Sequence, residues 1–174
     1  MKKGFEIIEL TSVTEYIYQL SGLLKEVVDD GASIGFLPPL EDVVAVDYWN
    51  SVLNQDVRLF VAIDNGEIAG SIQVHLCTKQ NGTHRAEIAK LMTNPAYRRM
   101  GIARKLMEVA EEIAVQEERA LLVLDTRKGD PSNHLYQSLG YIMAGEIPFF
   151  AKSANGSFDT TVLYYKQLGN FTND

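Results

Sequence analysis

Apolar residues recur along this chain with a period that switches between that of a strand and that of a helix. The run Phe5 to Leu10 (FEIIEL) predicts a first strand. From Tyr16 to Val28 the apolar spacing is helical, and the run stops at Asp29-Asp30-Gly31, where glycine is a natural helix end. Pro38-Pro39 breaks the chain. Leu40 to Leu53 then predicts a second helix, with an apolar face through Val43, Val44, Val46, Trp49 and Val52.

Arg58 to Ile63 and Ile68 to His75 predict two strands joined at Asp64-Asn65-Gly66-Glu67, where Asn-Gly signals a hairpin. Gln80-Asn81-Gly82 leads into a fourth strand, Ala86 to Met92, and Pro95 ends its run. Gly101 to Glu118 predicts a long helix with apolar Ile102, Leu106, Met107, Ala110 and Ile113. Ala120 to Asp125 (ALLVLD) is short and almost wholly apolar, as in a central strand covered on both faces. Asn133 to Leu139 predicts a short helix stopped by Gly140, and Tyr141 to Ile147 and Thr160 to Tyr165 predict the closing strands. The order β-α-α-β-β-β-α-β-α-β-β implies an α/β fold with a mixed sheet. It lacks the regular βαβα alternation of a dinucleotide fold, and the chain has no GxGxxG or GxxxxGK[ST] loop.

Composition narrows this picture. The 174 residues suit one domain spanning 1–174, and 46% apolar with 22% charged content excludes a disordered chain. No apolar run approaches 18 residues, so no membrane span is expected. The basic Met1-Lys2-Lys3-Gly4 start is followed by Glu6 and Glu9 rather than by the apolar core of a signal peptide. With Cys77 as its one cysteine, the chain has no internal disulfide, and a cytoplasmic location is the expectation.

A net charge of −7 disfavours nucleic acid as the main partner. The charge is unevenly placed. Arg85 to Lys105 holds six basic residues against Glu87, a net +5, which leaves −12 on the rest of the chain. A compact basic island in an acidic protein points to a small anionic ligand. His75, His84 and His134 lack metal-ligand spacing, so no metal is expected.

The island contains Arg98-Arg99-Met100-Gly101-Ile102-Ala103, between an apolar strand and a long helix. Glycine lets backbone approach a ligand closely. The first-turn N–H groups of a helix lack internal partners, and its dipole adds positive charge there. Such a helix start can hold a pyrophosphate, with Arg98 and Arg99 adding charge-assisted hydrogen bonds.

These residues resemble the R/Q-x-x-G-x-G/A motif that the GNAT acetyltransferase superfamily carries after its fourth strand. Leu135-Tyr136-Gln137-Ser138-Leu139-Gly140-Tyr141 is similar to that superfamily's L-Y-x-x-L-G-[FY], at the same distance of about 35 residues and in the same strand–helix order. The resemblance implies a mixed, mostly antiparallel sheet of about seven strands flanked by about four helices, with acetyl-CoA as donor. It places the pantetheine arm along the backbone of Leu91, Met92 and Thr93, and the pyrophosphate on residues 99–104, that is Arg99, Met100, Gly101, Ile102, Ala103 and Arg104. Where many members carry asparagine, seven residues before the motif tyrosine, this chain has Gly129, with Asn133 nearby but out of register.

A narrower resemblance, to the tabtoxin-resistance acetyltransferases, runs through Gly31-Ala32-Ser33-Ile34-Gly35-Phe36, Leu76 to Gly82, Arg85-Ala86-Glu87, Lys90-Leu91-Met92, Leu124-Asp125-Thr126 and Tyr164-Tyr165-Lys166. It implies acetylation of a small amine; acetylation of a protein or peptide, and non-catalytic binding of acyl-CoA, are the alternatives. Direct transfer needs an amine freed of its proton, a stabilised thioester oxygen and a proton for the leaving thiolate. By resemblance, the N–H of Leu91 or Met92 stabilises the oxygen and Tyr136 serves the thiolate. A phenol, with a pKa of roughly 10, is protonated at neutral pH. Two carboxylates compete as the base. Glu87, eleven residues before Arg98, matches the glutamate of the histone-acetyltransferase branch, and Asp125 ends a strand at the edge where α/β proteins bind ligands. Ser33, Phe36 and the segment from Glu146 to Phe150 are expected at the acceptor site. Glu146 and Asp125 would draw in a cationic amine. A homodimer is expected by analogy with the superfamily.

Overall fold

The computed structural model describes residues 4–169; the basic Met1-Lys2-Lys3 start lies outside them. Strands β1 (Glu6–Leu10), β2 (Val57–Asp64), β3 (Glu67–Leu76), β4 (Arg85–Thr93), β5 (Leu121–Arg127), β6 (Ile142–Lys152) and β7 (Phe158–Gln167) form one sheet. Helices α1 (Ile17–Asp29), α2 (Asp42–Val52), α3 (Ile102–Gln116) and α4 (Ser132–Ser138) flank it. The spatial order is β1-β2-β3-β4-β5-β7-β6, and every neighbouring pair is antiparallel except β4 with β5. No described helix is long and apolar enough to cross a membrane.

Strand alternation divides the core into two layers. In β2, Leu59, Val61 and Ile63 join Leu20, Leu24 and Trp49 beneath α1 and α2, while Phe60 and Ala62 join Leu106, Met107 and Ala110 beneath α3. Each such buried leucine or isoleucine contributes roughly 1.5–3 kcal/mol. The β2–β3 hairpin turns on Asn65 (φ 51°) and Gly66 (φ 86°), the two left-handed positions that Asn-Gly supplies most easily. The link from β3 to β4 is longer, residues 77–84, with a turn closed by the Gly82 N–H to the Lys79 carbonyl.

Two expectations change. In α2 the buried positions are Ala45, Trp49 and Val52, while Val43 and Val44 face solvent. The helix starts at Asp42, and its i, i+4, i+7 stripe meets α1, so the docking partner selected the face rather than the density of valines. Strand β5 is central but not covered on both faces: Leu122 and Leu124 are buried, Leu121 and Val123 half-buried, and Asp125 exposed.

Candidate active site

The exposure of β5 follows from its pairing with β4. The two parallel strands pair only over Arg85–Glu87 and Leu121–Val123, although β4 continues to Thr93 and β5 to Arg127. Beyond Glu87 and Val123 they part into a wedge whose facing edges have backbone groups free of each other. A bulge in β4 contributes. Against β3, Ser71 faces Met92 and Gln73 faces Ala89, so β4 carries one extra residue there, and Lys90 takes a left-handed φ of 52°. Leu91, Met92 and Thr93 follow on the wedge side of the bulge, and the Met92 side chain is buried under α1 and α2.

The open end of the wedge leads to α3. A 3-10 turn, Pro95–Tyr97, is capped by the Asn94 side chain, which accepts the Ala96 N–H at 2.9 Å. Arg99 (φ 62°) and Gly101 (φ 83°) then bend the chain into the helix. The first helical bond, Lys105 N–H to Gly101 carbonyl, leaves the N–H groups of Ile102, Ala103 and Arg104 without acceptors in the helix. A Cβ built on Gly101 meets nothing within 4 Å, so the space before this end is open, and glycine is needed for its φ alone. Arg98 is paired with Asp30 at the end of α1, and Arg104 donates to the Ser138 hydroxyl at 2.6 Å, bracing α3 against α4. Arg99 and Met100 are exposed beside the helix start.

One face of the wedge carries the titratable groups. Glu87 sits at the last paired position, opposite Val123 on β5 and His75 on β3, and Asp125 lies two residues beyond Val123 toward the open end. Both carboxylates are exposed. The Asp125 carboxylate is oriented by the Thr161 hydroxyl at 2.7 Å. Lys90 lies near both, but its Nζ donates to the Ile34 carbonyl. Burial lowers the pKa of Lys90, and Asp125 and Glu87 oppose that shift. On β3 the buried Gln73 donates to the Tyr48 hydroxyl at 2.9 Å and bonds the His75 imidazole at 2.8 Å. Burial pushes His75 down, against the pull of Glu87. Lys90 and this Tyr48–Gln73–His75 chain were not legible in the sequence. Alternation on β3 and β4 places Gln73, His75 and Glu87 on one face, and that is the signal that could have grouped them.

Tyr136 enters from α4 on the opposite face. Its ring is buried, 5.9 Å from those of Tyr141 and Tyr164. Its hydroxyl has no hydrogen-bond partner among the described residues, where Tyr164 and not Tyr136 bonds Asn133. Burial first, then the charges of Asp125 and Asp130, raise its pKa well above the ordinary phenol value, so it stays a proton donor. Asn133 is fully engaged: it donates to the carbonyls of Arg127 and Asp130, each at 2.9 Å, and accepts the Tyr164 hydroxyl at 2.9 Å. Gly129 has φ 88° and open space around it.

A pocket of about 310 Å³ lies between the α1–α2 loop, the end of β5 and the β6–β7 hairpin; Ser33, Phe36, Arg127, Lys152 and Ser153 are among its lining. Ser33 and Phe36 are thus brought together there. Glu146 does not line this pocket; it pairs with Lys128 at 2.8 Å on the exposed β6. Among the described residues no group of three or more His, Cys, Asp or Glu side chains could hold a metal ion.

Residues 24–141 of the chain match the Acetyltransferase (GNAT) family. The fold also matches solved structures at low identity. A GCN5-related N-acetyltransferase from Kribbella flavida superposes with a TM-score of 0.80 at 20% identity, covering 97% of this chain and 100% of that one. A Salmonella typhimurium protein, solved with its cofactor acetyl-CoA, gives 0.79 at 15%, with 97% and 98% covered. A ribosomal-protein-alanine N-acetyltransferase from Brucella melitensis gives 0.79 at 16%, with 92% and 99% covered.

Proposed function

The chain belongs to the GNAT acetyltransferase family, and from that premise we propose that it transfers the acetyl group of acetyl-CoA directly to the primary amine of a small molecule, residues 1–174 acting as one domain. The observation that carries this reading is the open wedge, which bears two exposed carboxylates and leads to the free α3 N-terminus; a pocket of about 310 Å³, the size of a small-molecule site, lies at the end of β5, lined by Arg127 but by neither carboxylate.

Acetyl-CoA supplies an activated thioester. The N–H groups of Ile102, Ala103 and Arg104, with Arg99 beside them, suit its pyrophosphate, and the unpaired edge of Leu91, Met92 and Thr93 suits its amide-bearing arm. Arg98 would have to leave Asp30 to contribute. The N–H of Leu91 or Met92 meets the negative charge that develops on the carbonyl oxygen. Asp125 or Glu87 accepts the proton of the incoming amine, directly or through a water. The Tyr136 hydroxyl donates to the departing sulfur. With its pKa raised above that of a thiol, it acts chiefly by hydrogen bonding rather than by full proton transfer. Ser33 and Phe36 shape the acceptor pocket, and Glu146 stands outside it on β6.

The similarity of particular segments to the tabtoxin-resistance enzymes supports a detoxifying role on an amino-acid-like compound. A second reading is acetylation of a peptide or protein. The exposed acceptor side, with Phe149, Phe150 and Phe158 open to solvent on the β6–β7 hairpin, favours it over an enclosed site. The same exposed edge strand supports a homodimer, which sedimentation would measure. The deciding experiment follows free-thiol release from acetyl-CoA against amino acids, dipeptides, polyamines and aminoglycosides. Release that depends on one small acceptor, and is lost in Tyr136→Phe, is expected. Release with peptides alone would move the assignment to the second reading.

A further inference from the structure

The loop between α1 and α2 forms one wall of the acceptor pocket, yet it has little structure of its own. Beyond Ala32, whose N–H bonds the Val27 carbonyl, residues 33–40 make no backbone–backbone hydrogen bond among the described residues. Cations from the strands and the loop that border the wedge hold it instead. Arg98 pairs with Asp30, Arg127 donates to the Gly31 carbonyl at 2.9 Å, and Lys90 donates to the Ile34 carbonyl.

Lys90 and Arg127 are half-buried, while Arg98 is exposed. The β4 bulge, with its left-handed φ, takes the Lys90 side chain out of the regular strand alternation. Its Nζ lies 5.8 Å from the centre of the Phe36 ring, a cation–π distance, and a Cβ built on Gly35 would come within 3.3 Å of it. Gly35, at φ 93°, lets the loop descend onto the ammonium without a side chain in the way. The Phe36 ring packs edge-on against Tyr48 at 5.1 Å, which carries the contact into α2. The ordinary role of such a lysine would be an ion pair with Glu87 or Asp125. No such pair within 4.0 Å occurs among the described residues, so its hydrogen bond is spent on the loop.

We propose that Lys90 is a positioning residue for the acceptor: it holds residues 34–36 down beside the wedge, builds one wall of the pocket, and so sets which amines fit, without holding the acetyl donor. The kinetic part of this proposal rests on the small-molecule reading given above.

Lys90→Met keeps an unbranched side chain one atom shorter and removes the donors. In the absence of substrates, chymotrypsin should cut after Phe36 about tenfold faster in this variant, the effect of losing one charge-assisted hydrogen bond on local opening. Lys90→Arg should restore most of the protection. Lys90→Gln, which is shorter and uncharged, should loosen the loop in the same way and serves should Lys90→Met fail to fold. With spermidine, L-lysine or kanamycin as acceptor, whichever the wild type turns over fastest, the acceptor KM of Lys90→Met should rise about tenfold and the acetyl-CoA KM should stay within about twofold. Unchanged cleavage after Phe36 would overturn the proposal, as would a rise confined to the acetyl-CoA KM. Should the wild type acetylate none of the three, the small-molecule reading is what fails, and the cleavage rates still decide the role of Lys90.

Discussion

On the side of β4 and β5 that meets α3, Ala86, Ile88, Leu122 and Leu124 are all buried; on the other side of the same strands Glu87 and Asp125 are exposed and Lys90 is half-buried. Strand alternation assigns the residues to the two faces. The parting of the strands beyond Glu87 and Val123 makes the second face useful, because helices α1 and α2 cover β1 to β3 and Met92 of β4 but leave the β5 side of the wedge open. One face holds the strands in place. The other offers free backbone edges and carboxylates to ligands. Substitutions a few positions apart on one strand should therefore separate stability from turnover.

The largest effect is expected on the chemical face. Asp125→Asn or Glu87→Gln should lower kcat by about 10²–10³-fold, as for removal of a general base, with little change in melting temperature or acetyl-CoA affinity. Near-wild-type turnover in both variants would remove both carboxylates from the base role. On the packed face, Leu122→Ala should lower stability by about 2–5 kcal/mol in chemical denaturation, because its side chain is fully buried beneath α3. Smaller losses would mean that this face is less tightly packed than its burial indicates.

Smaller effects are expected at the helix start. Gly101→Ala should destabilise by about 1–2 kcal/mol through its left-handed φ, since the added methyl meets nothing. It should also weaken acetyl-CoA binding by disturbing the free N–H groups that follow. Arg98→Ala should change stability by less than about 1 kcal/mol, as its pair with Asp30 is solvent-exposed. A large loss would show that this arginine does more for the fold than fix an exposed loop.

The regular elements and the Arg98–Ala103 segment were legible because their signals are local: hydrophobic period, Asn-Gly, a glycine before a helix. The place of the fourth strand just before the helix start was legible too, but its pairing with and parting from the fifth were not, since ALLVLD has the composition of a fully covered strand. Coverage depends on where α1 and α2 stop, which no residue in β5 records. Lys90 was hidden for a related reason. On a regular strand, three residues from Glu87, its side chain would fall on the opposite face, and only the bulge, set by the register with β3, turns it to the Ile34 carbonyl. Val43 and Val44 misled because apolar residues outnumber the places that α1 can cover.

Calorimetric titration of the chain with acetyl-CoA tests most directly whether acetyl-CoA binds in the wedge. The expected result is saturable binding at about one site per chain, weakened in Gly101→Ala and abolished by prior saturation with CoA. Absence of binding to the folded wild type, or binding indifferent to Gly101→Ala, would contradict the placement of the donor on the α3 N-terminus.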